Sequence, residues 1–141
     1  MLASGSVGLK GRSARTDPGR VSIRPGPRPK RPWPTGSAIS AVTLAELAAG
    51  PHATRDANER ARRQDRLQWA AATWDALPFD VEVARMYGSV FAAIRAARRS
   101  GRSRVADLLI ASTAASNGLP LYTRNPADFA GLKKLVSIIA V

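Results

Sequence analysis

Three acidic residues stand apart from the other charges of this 141-residue chain. Glu46 follows a short alternating apolar segment, Asp107 lies near the start of a helical stretch, and Asp128 follows Asn125-Pro126, which opens another. Most other acids sit beside arginines on solvated helix faces, as Asp56/Arg60 and Glu59/Arg63 do at i,i+4. The chain has no cysteine and one histidine, His52, which excludes thiolate nucleophiles, disulfide scaffolds and cysteine zinc sites. Carboxylates without such company suit a hard cation such as Mg²⁺, which takes oxygen ligands and retains waters. Held that way, Mg²⁺ activates water and neutralises charge on a phosphodiester, so the chemistry within reach is nuclease chemistry. Each acid also has a structural account. Glu46 completes a capping box with Thr43, Asp128 occupies the third helical position behind Asn125, and Asp107 lies in a first turn where negative charge suits the helix dipole.

The elements that would place these acids are short. Ala38-Ile39-Ser40-Ala41-Val42 alternates as a strand does, and Thr43 to Leu47 switches to helical spacing until Gly50-Pro51 stops it. Helical spacing returns from about Thr54 to Leu77, with Leu67, Ala70, Ala71 and Trp74 on its apolar face. It returns again from about Val81 to Arg99, where Val83, Met86, Tyr87, Val90, Phe91 and Ile94 form a stripe that reads as core. Ser103 can cap a third long helix reaching about Ser116, with Val105, Leu108, Leu109 and Ser112 inward, and Asn117-Gly118 ends it. Leu119 to Tyr122 and Val136 to Val141 read as strands. Strands alternating with helices predict a parallel α/β sheet covered on both faces. Helix N-termini then collect at the carboxyl edge of the sheet, where such folds bind ligands, so Glu46, Asp107 and Asp128 are expected to meet there.

The formal charge of +12 is unevenly spread. Residues 1–36 hold eight basic residues and one acid, a net of +7, leaving +5 for residues 37–141. In this first segment Pro25, Pro27, Pro29, Pro32 and Pro34 alternate with basic residues, a composition that cannot offset the entropy of ordering and reads as disordered. It offers no hydrophobic strand for a sheet centre; Val21-Ser22-Ile23, the nearest candidate, is short and flanked by Arg and Pro. A basic arm could bind nucleic acid nonspecifically by neutralising phosphates. The alternative is a displaced start or reading frame, because Arg, Pro, Gly and Ser dominate out-of-frame translation of GC-rich DNA, and the absent strand favours it. No apolar run approaches the roughly 18 residues of a membrane span, and the start lacks a signal-peptide core, so a soluble cytoplasmic protein is expected.

Three segments taken together resemble a known family: Ile39 to Leu47, Gly101-Arg102 through Ala106-Asp107-Leu108-Leu109-Ile110-Ala111-Ser112-Thr113-Ala114, and Leu121-Tyr122-Thr123-Arg124-Asn125-Pro126-Ala127-Asp128-Phe129. They are similar to the PIN-domain ribonucleases, in particular the VapC toxins of type II toxin–antitoxin pairs, over about residues 37–141. The resemblance implies a PIN-like three-layer α/β/α domain with a short parallel sheet. It also implies endoribonuclease activity with Mg²⁺ or Mn²⁺ on structured RNA such as tRNA or rRNA, a cognate VapB-like antitoxin, and a homodimer. By this likeness Glu46 matches the family's second acid and Asp107 the third, a metal ligand. Asn125 stands where some members carry a fourth acid, with Asp128 beside it. Thr123 matches the polar residue that orders this edge, and Arg102, Arg104 and Arg124 are candidates to meet phosphates.

Family members begin with a hydrophobic strand ending in Asp-Thr or Asp-Ser, whose Asp is the principal metal ligand. Residues 1–36 offer neither, and Asp17, within Arg-Thr-Asp-Pro-Gly-Arg, does not qualify. The domain is therefore expected to span 37–141, with its N-terminal strand missing or replaced by the basic segment 1–36. Two other readings stay open: an inactive PIN-like remnant that binds an antitoxin through the helices around Trp74, Tyr87 and Phe91, and a nonspecific RNA-binding protein.

Overall fold

Ser40 ends one element and begins the next. Strand β2 (Ser37–Ser40) passes directly into helix α1 (Ala41–Ala49), because the Ser40 backbone stays extended (φ −78°, ψ 153°) while its hydroxyl accepts the Thr43 amide. The cap of α1 is thus Ser40, three residues before the Thr43/Glu46 capping box expected from sequence. The protein is described here by a computed structural model over residues 21–23, 34–97 and 105–141. A 3₁₀ turn, Gly50–Ala53, follows α1 and leads to α2 (Ala57–Thr73). Asp56 caps α2, its Oδ1 accepting the Glu59 amide at 2.6 Å, so its carboxylate serves the helix end and not Arg60. Then come β3 (Asp75–Leu77), α3 (Val81–Ala96) capped by Asp80, α4 (Val105–Ser116), β4 (Leu121–Thr123), a 3₁₀ segment Pro126–Leu132, and β5 (Ile138–Ala140). Gly118, at φ 64°, turns the chain out of α4, while the Asn117 side chain donates to Thr113 O at 2.8 Å.

The sheet corrects the expectation of a missing N-terminal strand. Val21–Ile23 forms β1, and the strand order is β3-β2-β1-β4-β5, all parallel, with β1 at the centre. Val21, Ser22 and Ile23 pair with Ser37, Ala38 and Ile39 on one side, and Ser22 and Ile23 pair with Leu121 and Tyr122 on the other. Shortness did not disqualify the segment, since every strand here has three or four residues. Residues 24–36 give the connection the dozen or so residues that a parallel return needs. The sheet of the domain therefore begins before Ser37. The disorder expected of the rest of the basic segment lies, up to Trp33, outside the described residues.

Strand β3 was hidden in what reads as the tail of α2. The helix ends because Trp74 adopts an extended backbone (φ −130°, ψ 143°), which turns Asp75–Leu77 into pairing with β2 at the sheet edge. Helices cover both faces. Leu121 enters a core with Val90, Ile94, Ile110, Ala114, Phe129 and Leu132, while its neighbour Tyr122 packs on the opposite face with Ile39, Ala70 and Trp74. This alternation makes the expected three-layer α/β/α arrangement. Trp74 and Trp69 meet edge to face with centroids 4.9 Å apart. Trp74 is buried and so forms core and not a docking surface.

Two expected inner faces need correction. The sequence places Phe91 in the core stripe of α3, yet it is 48% exposed and stacks on the partly buried Tyr87 at 6.1 Å. On α4, Val105 is 63% exposed, while Leu108, Ile110, Ala111, Ser112, Thr113 and Ala114 are all buried. The helix is enclosed on most sides, and its buried hydroxyls are satisfied within it: Ser112 donates to Leu108 O (2.6 Å) and Thr113 to Leu109 O (2.9 Å).

Candidate active site

Topology sets the edge at which chemistry is possible. Helix α1 follows β2 and helix α4 precedes β4, so in a parallel sheet both present their N-terminal ends at the carboxyl edge, and the two helices pack on each other. Asp107 sits in the first turn of α4 and is only 3% exposed, which gives its carboxylate a low-dielectric setting beside the positive end of the helix. Glu46 lies toward the C-terminal half of α1, half-buried. Its position follows from the Ser40 cap, since the helix starts immediately at the strand end.

The third expected acid is placed differently. Asp128 is exposed in the 3₁₀ segment after β4, its amide donating to Asn125 O at 3.1 Å. Asn125 is exposed as well and makes no side-chain cap to that segment, so its side-chain amide is not consumed in capping the start of it. Thr123, 1% exposed at the end of β4, accepts the Asn125 amide on its hydroxyl at 3.1 Å and fixes the turn where strand becomes 3₁₀. Arg124 is exposed on that turn; Arg102 and Arg104 lie outside the described residues.

All three acids thus lie on elements that start at one edge, but among the described residues no three of His, Cys, Asp and Glu are gathered as a metal cage. The expected meeting of Glu46, Asp107 and Asp128 as a three-carboxylate group is not realised there. Strand β1, with the sequence Val-Ser-Ile, brings no carboxylate to the sheet centre. Mg²⁺ is commonly held by one or two carboxylates together with waters and substrate phosphates, so Glu46 and Asp107, both hard oxygen donors, fit such an ion without a full protein cage.

A buried hydroxyl pair also lies at this edge, outside the motifs read from sequence. Ser40 and Thr43, 0% and 2% exposed, share a hydroxyl hydrogen bond of 2.9 Å in addition to the capping bond from the Thr43 amide to Ser40 Oγ. The legible signal is Ser-x-x-Thr across a strand-to-helix junction.

A parallel sheet between two helical layers, with acids on helices that start at its carboxyl edge, defines a class, and known relatives make it specific. The PIN domain profile matches residues 32–135. The ribonuclease VapC5 of Mycobacterium tuberculosis is 38% identical over 105 residues, which cover 74% of this chain and 75% of that protein. Ribonuclease VapC of Rickettsia bellii is 30% identical over 97 residues, covering 69% and 71%. The crystal structure of VapBC-5, a member of the VapBC family of toxin-antitoxin systems from M. tuberculosis, aligns with a TM-score of 0.76 at 33% identity, covering 88% of this chain and 100% of that one. The chain belongs to the PIN-domain family, within its VapC group. No helix among the described residues is long and apolar enough to cross a membrane.

Proposed function

We propose that this protein is the toxin of a type II toxin–antitoxin pair, an endoribonuclease that uses Mg²⁺, or Mn²⁺ in its place, to cut structured RNA in the cytoplasm. The observation that carries the reading is the buried Asp107 in the first turn of α4, on a chain 38% identical to a VapC ribonuclease over three quarters of its length. Glu46 and Asp107 are the residues that would hold the ion. When bound, Mg²⁺ supplies an activated water and neutralises phosphodiester charge. The protein's own part is to hold those two carboxyl groups in place, one from each of two packed helices. Asn125 and Asp128 flank the edge with exposed polar groups suited to orienting a phosphate or a water, while Thr123 holds their turn in place. Arg124, with Arg102 and Arg104, would meet backbone phosphates.

A VapB-like antitoxin is the expected protein partner, as the VapBC-5 relative is a toxin–antitoxin system, and we expect the toxin to form a homodimer. The test is cleavage of end-labelled tRNA or rRNA fragments with Mg²⁺, with EDTA, and by Asp107→Asn. Cleavage should need Mg²⁺ and fall at least a hundredfold in the variant. Activity that survives both treatments refutes the reading.

A further inference from the structure

Resting on that ribonuclease reading, we infer that the buried hydroxyl pair Ser40–Thr43 is a positioning device that sets where along its axis α1 lies, and hence where Glu46 stands relative to Asp107. An ordinary N-cap needs one side-chain acceptor, and Ser40 supplies it for the Thr43 amide at 2.9 Å. The hydroxyl of Thr43 adds a second bond to the same oxygen, also 2.9 Å, and both residues are sealed from solvent. Thr43 occupies the position where a capping box would place Glu or Gln. With a β-branched hydroxyl residue there instead, the box makes no use of an acid, and Glu46 stands one turn further along.

The apolar contacts of α1 leave axial position to directional bonds: the hydroxyls hold its N-terminal end, and Arg63, donating to Gly50 O at 3.0 Å, holds the other end, beyond Glu46. Val42 packs into the core of α3 and α4, while Leu44 and Leu47 pack into the core on the other sheet face. Being gripped on two sides fixes rotation of the helix about its axis. Apolar packing is non-directional and resists sliding along the axis poorly. The directional bonds at Ser40 tie the first turn of α1 to the last residue of β2, next to the central strand. Glu46 is six residues further on, about 9 Å along the axis at 1.5 Å per residue. A displacement of order 1 Å is enough to cost a reacting group about a hundredfold.

The experiment measures Mn²⁺ affinity by electron paramagnetic resonance, RNA cleavage, and thermal stability in the full chain. Thr43→Val keeps the side-chain volume and deletes the hydroxyl; Thr43→Ser restores it. Thr113→Val is the matched control, a buried threonine whose hydroxyl bonds only the Leu109 carbonyl within α4. Both valine variants should lose similar stability. Only Thr43→Val should weaken Mn²⁺ binding, by about tenfold, the low end of what losing a supporting partner costs a metal site. Its kcat should fall with the KM for RNA unchanged, and Thr43→Ser should recover both. If Thr43→Val does not fold, Ser40→Gly, which retains a cap-competent backbone, is expected to show the same tenfold loss. Wild-type Mn²⁺ affinity in Thr43→Val, or in Ser40→Gly where that variant is used, or equal losses in Thr113→Val and Thr43→Val, overturns the inference alone. Absence of Mn²⁺ binding by the wild type overturns it together with the metal-dependent ribonuclease reading.

Discussion

Replacing Ile110 with alanine tests the orientation of α4, the helix that carries Asp107. Ile110 is 0% exposed and belongs to the core shared by α3, α4 and β4. Removing three carbons forfeits about 2.4 kcal/mol at roughly 0.8 kcal/mol per methylene. The hole cannot collapse easily, because Leu108, Ala111 and Ala114 around the same helix are buried too, which brings the cost to about 4 kcal/mol, the upper part of the usual range. That is a large share of the about 5–15 kcal/mol that holds a domain of this size together, and should lower Tm by roughly 15 °C. Urea denaturation followed by tryptophan fluorescence measures it, since Trp69 and Trp74 sit against the opposite sheet face and report global unfolding. Val105→Ala is the contrasting variant: at 63% exposure it should stay within about 0.5 kcal/mol of wild type. If Val105→Ala costs as much as Ile110→Ala, α4 faces the core with the side expected from sequence, and the burial assigned to Asp107 is wrong.

Two other outcomes follow from the structure. Arg63, and after it Arg62, hold the Glu59 carboxyl below its ordinary range. A lowered folded-state value means that this contribution is present above the unfolded value of about 4.3 and is lost as pH falls through the lower folded one. Glu59→Gln should therefore flatten the acid limb of a stability–pH curve below about pH 4.5 and leave neutral stability little changed, because the pair is on the surface. A Cβ at Gly131 would lie 3.2 Å from Ala97 Cβ and 3.3 Å from Ile94 Cδ1, so Gly131→Ala should cost about 1 kcal/mol, read as a lowered urea midpoint at unchanged m-value.

The parts of the fold that were legible from sequence are those with a local cause. Helices α1, α3 and α4, strand β4, and the Asn117-Gly118 stop announce themselves through periodicity and φ preferences confined to a few residues. The carboxyl-edge location of Asp107 followed from the alternation of strands and helices, whereas Glu46 stands a turn further into α1 than a helix capped at Thr43 would place it. Strands β1 and β3 were not legible, because three-residue strands in a parallel sheet are held by neighbours distant in sequence and carry no alternating pattern of their own. Val21-Ser22-Ile23 looks like any apolar trio among prolines until β2 and β4 stand on either side of it. The faces of α4 were misassigned for a related reason: a helix surrounded by protein has no polar side, so Val105 and Ile110 cannot be told apart by period. Among the site residues, the Ser40–Thr43 pair escaped notice because Glu46 offered itself as the capping partner. Glu46, Asp107 and Asp128 were expected to meet because being on the right edge is a statement of topology, and distance is not.

The central place of β1 in the sheet has a consequence for how the molecule comes into being. Its two neighbours are residues 37–40 and 121–123, so the middle of the sheet closes only when the earliest strand meets one made about a hundred residues later. Such long-range pairing must meet its loop-closure entropy before any contact offsets it, which makes assembly slow and late. During synthesis, the sheet beneath the helices that bear Glu46 and Asp107 stays unfinished until Leu121–Thr123 has emerged. A nascent chain, or one truncated before Leu121, would carry both acids and still lack the completed sheet on which their two helices pack.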